Sequence, residues 1–290
     1  RDALPMLLSA ADLASDALQA GYRLGYAGAG SSGLMALAEC LELPGTFGIA
    51  PDRIPMLFAG GAGALLRMTG AAEDDAALAW VDVRQAAFGA GDVVICVSAS
   101  GGTPYTLAVA KGAQSRGAQV IGLSNVMGSA LLEIADYPVL WDTGPEIIAG
   151  STRLGAASAQ KVALNMLSVL IGIKLGHVHD GYMINLLADN AKLVERAARI
   201  VAAISGQGID VARNALAQSE GAVKTAVLIA LGTTPEEAVT QLQESPRGNL
   251  RINMPVEFGM RFMGRVVAAS HGRRGVRGCS RASMSRDTKP

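Results

Sequence analysis

Residues 92–104 read Asp-Val-Val-Ile-Cys-Val-Ser-Ala-Ser-Gly-Gly-Thr-Pro, and this stretch decides the fold class. Its unbroken apolar half predicts a strand buried on both faces, as in a parallel sheet covered by helices. A loop of small hydroxyl residues and glycines follows. Pro104 at the first helical position, with Thr103 as the N-cap, then predicts a helix over residues 104–116.

The same succession of strand, loop and helix occurs earlier in the chain. Residues 23–27 predict a strand, Gly28-Ala-Gly-Ser-Ser-Gly33 forms the loop, and a helix follows to about Leu43. Glycine lets the backbone come close to a ligand, hydroxyl groups donate hydrogen bonds, and a helix start carries partial positive charge. The two loops therefore predict an anion site at the carboxyl ends of two strands. Its candidate residues are Ser31, Ser32, Gly33, Ser98, Ser100, Gly101 and Thr103.

Two other interpretations of these loops are open. The first loop matches the dinucleotide pattern G-x-G-x-x-G, which also needs an acidic residue about 20 positions later, at the end of the second strand. That strand, predicted over residues 54–59, instead runs into Ala59-Gly-Gly-Ala62. The loops could also be two ordinary tight turns. Because two matched loops occur, a phosphorylated sugar is the favoured ligand.

The remaining pattern predicts an α/β fold, a doubly wound parallel five-stranded sheet with a helical C-terminal part. Further strands are predicted over residues 119–124 and 137–141, and further helices over 75–88, 158–175, 185–204, 210–218, 222–231 and 235–244. We expect a sugar-phosphate-binding domain over residues 1–205, a small three-helix domain over 206–250, and a poorly ordered tail over 251–290.

Composition narrows the function classes. The 290 residues carry 25 basic and 25 acidic side chains, so no overall charge favours nucleic acid. Three scattered cysteines lack metal-ligand spacing and indicate a reducing compartment. The longest apolar helical stretch, residues 162–173, is shorter than the ~20 residues of a membrane span. No secretory signal is visible, and we expect a cytoplasmic location without membrane association. The basic stretch 270–290 receives no function.

Several ordered motifs resemble the N-acetylmuramic acid 6-phosphate etherases, a sugar isomerase (SIS) domain family related to the glucokinase regulatory proteins. Besides the two loops, they are Ala72-Glu-Asp74, Gly144-Pro-Glu146, Gly150-Ser-Thr-Arg153, Ala159-Gln-Lys161, Leu164-Asn-Met-Leu-Ser168 and Gly221-Ala-Val-Lys-Thr-Ala226. The resemblance implies a homodimeric carbon–oxygen lyase that needs no metal or organic cofactor. It implies cleavage of the lactyl ether of N-acetylmuramic acid 6-phosphate by elimination and hydration, giving N-acetylglucosamine 6-phosphate and D-lactate.

The resemblance also carries the family's two catalytic glutamates onto this chain. One is Glu73, as the base at the sugar C2. The other is Glu42, as the acid, when residues are counted without gaps between Gly28 and Gly48; a gapped match gives Glu39 instead. Glu146, Ser151 and Arg153 are further candidate substrate contacts.

Three family cations are replaced here, by Leu34, Gly102 and Gly155. This departure leaves the sugar's identity open and keeps two alternatives, a phosphosugar isomerase and a non-catalytic sugar-phosphate sensor. His177 and His179 could open a sugar ring, but a structural role at a helix end is the favoured interpretation.

Overall fold

The computed structural model describes residues 3–68, 70–186, 188 and 190–244, so the tail predicted over 251–290 lies outside the described residues. Five strands form one sheet in the order β2-β1-β3-β4-β5, and all neighbouring pairs are parallel. They are β1 Leu24–Gly28, β2 Met56–Phe58, β3 Val93–Val97, β4 Gln119–Ser124 and β5 Tyr137–Leu140. The predicted fold class is confirmed.

Twelve α-helices and one short 3-10 helix, Pro51–Arg53, accompany the sheet in the described part of the chain. The α-helices are α1 Leu4–Gln19, α2 Gly30–Phe47, α3 Gly61–Leu66, α4 Ala71–Asp74, α5 Ala76–Ala86, α6 Pro104–Ser115, α7 Ala130–Ile134, α8 Gly155–Lys174, α9 Ala191–Ser205, α10 Ile209–Gln218, α11 Val223–Ala230 and α12 Pro235–Glu244. A short hairpin of β6 Val178–His179 and β7 Tyr182–Met183 separates α8 from α9.

The sheet separates two apolar cores. Val93, Ile95 and Val97 face a core shared with α1, α2 and α8, whereas Val94 and Cys96 face α5 and α6. All five side chains are fully buried. Because successive side chains of a strand point to opposite faces, an apolar residue at every position is what a doubly covered strand requires.

Three sequence predictions about the elements were wrong or incomplete. Helix α1 was not predicted, and α2 continues past Pro44 to Phe47. The helix predicted from residue 185 begins at Ala191 instead. Two hydrogen bonds accompany this later start. Asn185 donates to the Phe47 carbonyl at the end of α2, which is a long-range contact, and the Asn190 side chain caps α9 by accepting from the Leu193 amide.

Helices α9, α10 and α11 enclose a third apolar core of their own. Its fully buried members include Ala197, Val201, Ala212 and Ala226. The domain boundary between residues 205 and 206 stays a prediction.

Helix α8 alone, among the described residues, is long and apolar enough to cross a membrane, and half of that window is buried inside the protein. It packs against α1 and α2 through residues such as Leu164, Leu167 and Ile171. Its 20 residues exceed the apolar stretch expected from the sequence.

Candidate active site

The two glycine- and serine-rich loops touch each other. They leave the carboxyl ends of β1 and β3, which are neighbours at the point where the strand order reverses direction along the sheet. The Ala99 amide of the second loop donates a hydrogen bond to Ser32 Oγ of the first loop, at 3.2 Å. The reversal point of a doubly wound sheet opens a crevice that binds ligands. The sequence motifs therefore meet at the place where such a fold can hold an anion.

The second loop is ordered by its own hydroxyl groups. Ser98 Oγ lies 2.8 Å from Thr103 Oγ1 and accepts a hydrogen bond from the Gly101 amide at 3.0 Å. Thr103 does occupy the N-cap position of α6, but its hydroxyl makes no capping bond, which corrects the expected cap. Ser98 is buried, whereas Ser100 is exposed and accepts from the Gly102 amide.

Gly101 is required by the geometry of this loop. Its φ is +65°, and a Cβ atom at this position would lie 2.2 Å from Ser129 Oγ and 2.7 Å from Ser124 Oγ. Ser129 donates to Ser124, and the Leu131 amide donates to the Gly101 carbonyl. The start of α7 and the end of β4 thus pack directly on the loop backbone.

The Glu73 carboxylate lies over the first loop. A Cβ atom on Gly30 would come within 2.6 Å of Glu73 Oε1, so the carboxylate sits against the backbone where α2 begins. Gly30 has a φ of +54°, and Glu73 is half-buried on the short helix α4. The structure therefore places a carboxylate directly beside the loop pair, as the proposed chemistry needs.

The two candidates for the second glutamate have different surroundings on α2. Glu42 is exposed. Glu39 is 2% exposed, accepts a hydrogen bond from Asn165 Nδ2 at 2.7 Å and pairs with Lys161 Nζ at 3.2 Å. Since both partners lie on α8, Glu39 connects two core helices, and its oxygen is already engaged. Its negative charge, after burial as the main cause, also raises the pKa of Tyr26.

Glu146, Ser151 and Arg153 line one surface hollow of about 330 Å³, together with Ile148 and Leu154. The hollow is formed by the segment that follows β5 and leads into α8. Glu146 accepts hydrogen bonds from the Gly155 and Ala156 amides, each at 2.8 Å. Its two oxygens therefore close the amino end of α8.

Helices α2 and α6, which follow the two loops, begin without the side-chain acceptor that Glu146 gives to α8. Neither α2 nor α6 has a side-chain cap among the described residues. Their first-turn amide groups and the hydroxyls of the loops form a set of donors. No protein carboxylate accepts a hydrogen bond from these amides among the described residues, although Glu73 lies against Gly30 at the start of α2. Such a set matches a phosphate group, which carries several acceptor oxygens.

The sequence reasoning assigned no role to Asn125 and Gln160. The Asn125 amide donates to the Ala99 carbonyl at 3.1 Å, and Asn125 Oδ1 accepts from Gln160 Nε2 at 2.9 Å. Asn125 Nδ2 donates to the Trp141 carbonyl, which fixes the orientation of both amides. This network joins the second loop to the first turns of α8. Gln160 lies within the Ala159-Gln-Lys161 motif, which was the available signal.

His177 is partly buried, with no hydrogen-bond partner for Nδ1 in the described structure. Burial, together with the nearby Lys224 ammonium, lowers the pKa of His177 to about 4. It lies on the turn between α8 and β6, so the structure gives it surroundings separate from the loop pair. Within the described residues, no group of three or more His, Cys, Asp and Glu side chains could hold a metal ion.

Comparisons with known proteins identify relatives over most of the chain. Two SIS domain models match residues 4–125 and 81–171. An N-acetylmuramic acid 6-phosphate etherase from Deinococcus radiodurans is 44% identical over 242 residues, covering 83% of this chain and 79% of its own. Another from Pectobacterium atrosepticum is 40% identical over 248 residues, covering 86% of this chain and 82% of its own.

Solved structures share less sequence. A phosphoheptose isomerase from Francisella tularensis has 20% identity and a TM-score of 0.45, covering 58% of this chain and 86% of its own. A phosphoheptose isomerase from Neisseria gonorrhoeae has 18% identity and a TM-score of 0.44, covering 58% and 85% of the two chains.

Proposed function

The chain belongs to the N-acetylmuramic acid 6-phosphate etherase family, and we propose that it cleaves the lactyl ether of N-acetylmuramic acid 6-phosphate. The products are N-acetylglucosamine 6-phosphate and D-lactate. The position of Glu73 against Gly30, beside two loops in mutual contact, is the observation that carries the proposal.

The chemistry follows from the substrate's open-chain aldehyde. The ionised Glu73 carboxylate removes the C2 proton, which the adjacent aldehyde acidifies. The C2–H electron pair forms the C2–C3 double bond as the C3–O bond breaks, and an acid protonates the departing lactate oxygen. Water then adds its hydroxyl to C3 and its proton to C2. General acid–base steps of this kind contribute about 100- to 10,000-fold each.

In this proposal, the substrate phosphate binds in the crevice between the two loops. Ser31 and Ser100 supply accessible hydroxyl groups there, and the uncapped starts of α2 and α6 supply amides. The buried hydroxyls of Ser32 and Ser98 hold the two loops in shape. Family cations at this edge are replaced by Leu34 and Gly102. Neutral donors and helix dipoles then hold the phosphate, as anion sites at helix starts do.

The acid is proposed to be Glu42. Glu39 is buried and bonded to Lys161 and Asn165, so protonating it would break an ion pair within the core. Glu42 lies one turn further along α2 on the surface and is free of that constraint. Gap-free spacing from the flanking motifs supports the same residue.

We propose that the protein works as a cytoplasmic homodimer without metal or organic cofactor. Leu41, adjacent to Glu42, is 68% exposed, and Val169 on α8 is 46% exposed. Exposed apolar side chains on two helices that pack together, α2 and α8, are suited to burial by a second copy, which would also remove the neighbouring Glu42 carboxylate from water. Light scattering of the purified protein measures the mass, and a monomer at assay concentration would contradict the homodimer.

The proposed function is tested by incubation with N-acetylmuramic acid 6-phosphate in deuterated water. Lactate is assayed, and deuterium at C2 of the sugar is followed by NMR. We expect lactate release with C2 labelling. Label without lactate would instead indicate isomerase-like chemistry, and binding with neither outcome would indicate a sensor.

Variants assign the two carboxylates in the same assay. Glu73→Gln should lower kcat for lactate release about 100- to 10,000-fold, because the base is lost. The neighbouring exposed Asp74→Asn is the matched control and should keep the wild-type rate. Glu42→Gln should lower kcat at unchanged stability, whereas Glu39→Gln should lower stability first. Wild-type turnover in Glu73→Gln would refute the base assignment.

A further inference from the structure

We propose that the hollow lined by Glu146, Ser151 and Arg153 binds the lactyl carboxylate of the substrate, with Arg153 as the cation that recognises it. This inference rests on the proposed function, because only a muramyl substrate carries that second anion. It assigns separate sites to the phosphate and to the carboxylate.

The charge distribution at the loops motivates two sites. N-acetylmuramic acid 6-phosphate carries a phosphate on C6 and a carboxylate on the C3 substituent, so the anions lie at different positions of the sugar. The loop pair offers hydroxyl groups and amides, and its family cations are replaced by Leu34 and Gly102. A single neutral donor set of this size fits one anion. The second anion therefore needs a cation elsewhere at the same edge of the sheet.

Arg153 is available for that role. It is exposed, and it forms no ion pair or hydrogen bond with any residue that the structure describes. Lys161, the other cation on this segment, is bound to Glu39. Arginine matches carboxylates through paired N–H donors in a planar fork, and the Ser151 hydroxyl can add a third donor.

The acidic residue of the hollow does not neutralise Arg153. Both Glu146 oxygens accept from amides of α8, where the helix dipole also favours a negative charge. Gly155 permits this contact, since a Cβ atom there would already lie 3.0 Å from Glu146 Oε2. Glu146 is thus a positioning residue that fixes the segment on which Ser151 and Arg153 stand.

The hollow is connected to the loop pair through named hydrogen bonds. Its segment leaves the carboxyl end of β5, the same edge from which both loops rise. Gln160 in the second turn of α8 donates to Asn125, whose own amide donates to the second loop at Ala99. A volume of about 330 Å³ admits a three-carbon lactyl group.

Binding to a catalytically silent protein isolates this contact from turnover. In the full chain carrying Glu73→Gln, titration calorimetry measures Kd for N-acetylmuramic acid 6-phosphate and for N-acetylglucosamine 6-phosphate, which lacks only the lactyl group. Adding Arg153→Gln should raise the first Kd about 10- to 100-fold, the range of a charged hydrogen-bonded pair. The second Kd should change less than about twofold. Arg153→Lys should fall between.

The matched control is Arg84→Gln. Arg84 is exposed in the last turn of α5, which precedes β3 and so lies at the opposite edge of the sheet, and its loss changes net charge equally. It should leave both Kd values unchanged. Equal weakening of both ligands by Arg153→Gln, or no weakening of either, would overturn the inference. Failure of the wild type to release lactate would refute the proposed function instead. The ratio of the two Kd values would still show whether Arg153 binds the lactyl carboxylate.

Discussion

Helices α6 and α8 both follow the carboxyl edge of the parallel sheet, and their first turns differ. At α6, Thr103 stands at the N-cap position, but its hydroxyl is bonded to Ser98 and leaves the helix start uncapped. At α8, Glu146 comes from the preceding loop and binds two first-turn amides. One helix start is open to an external anion, and the other is closed by an internal one.

Under the proposed function, this difference would allow a chain with few cations near the loops to bind the phosphate and the carboxylate at separate places. The open start of α6 and its loop form a neutral site suited to phosphate, which helix dipoles and amides hold well. The closed start of α8 cannot serve the same purpose. It instead anchors the segment that carries Arg153, the cation that we propose for the lactyl carboxylate. The presence or absence of a helix cap is therefore the structural difference on which the two proposed anion sites depend.

The largest expected effect comes from closing the open site at Gly101. In Gly101→Ala, the methyl group would lie 2.2 Å from Ser129 Oγ at a φ of +65°, so both the loop and the start of α7 must shift. We expect the free energy of unfolding to fall by about 2 to 4 kcal/mol. Urea denaturation measures this loss. The Kd for inorganic phosphate should rise more than tenfold, because the shifted loop no longer holds its amide and hydroxyl donors in the native arrangement.

Gly102→Ala is the control for that substitution. Its φ is not in the left-handed region, and the nearest atom to an added Cβ is Ser100 Oγ at 3.8 Å. Stability and phosphate binding should stay close to the wild type. If both alanine variants behaved alike, the loop would not depend on the contact between Gly101 and Ser129.

A smaller effect is expected from removing the Glu146 cap at the start of α8. Glu146→Ala removes the acceptor of two amides at the start of α8, and losing an N-terminal cap costs about 0.5 to 2 kcal/mol. Urea denaturation again measures it, with the exposed Asp52→Ala as the control for the lost charge. Because Arg153 would then lose its fixed support, KM for N-acetylmuramic acid 6-phosphate should rise while kcat changes little. A lowered kcat at unchanged KM would instead favour direct contact between Glu146 and the reacting atoms.

The sheet and its loops could be predicted because each rests on local patterns. The apolar run at residues 93–97 requires two covered faces, and a glycine-rich turn before a helix has few alternatives. β4 was predicted at its observed bounds, residues 119–124. Helix α1 escaped prediction, although its alanine-rich pattern buries Ala10, Ala11 and Ala14 against the sheet.

The contacts within the site could be predicted only in part. Sequence spacing indicated which side chains share the sheet edge, and the structure brings Glu73 to the first loop. Gap-free spacing favoured Glu42, but it could not show that Glu39 is held in the core, because that depends on Lys161 and Asn165, more than 120 positions away. The use of Glu146 as a cap likewise depends on Gly155. The sequence does not show that Glu146 packs against Gly155, so it does not show why a side chain there would be too close.

The smallest effect is expected just past the carboxyl end of α8, where His177 is partly buried near Lys224. Burial and Lys224 lower its pKa to about 4 in the folded protein, below the ordinary value of 6.5. The unfolded chain therefore binds the proton more tightly, and stability is fully present above pH 6.5 and lost as the pH falls toward 4. Between pH 7.5 and 5.5 we expect the free energy of unfolding to fall by about 1 kcal/mol, and His177→Gln should remove this loss.

Urea denaturation of the wild type and His177→Gln at the two pH values tests this expectation. Lys224→Met should reduce the loss, because it removes the ammonium group that disfavours the charged imidazolium. An equal pH dependence in the wild type and His177→Gln would contradict the assignment of this stability loss to His177.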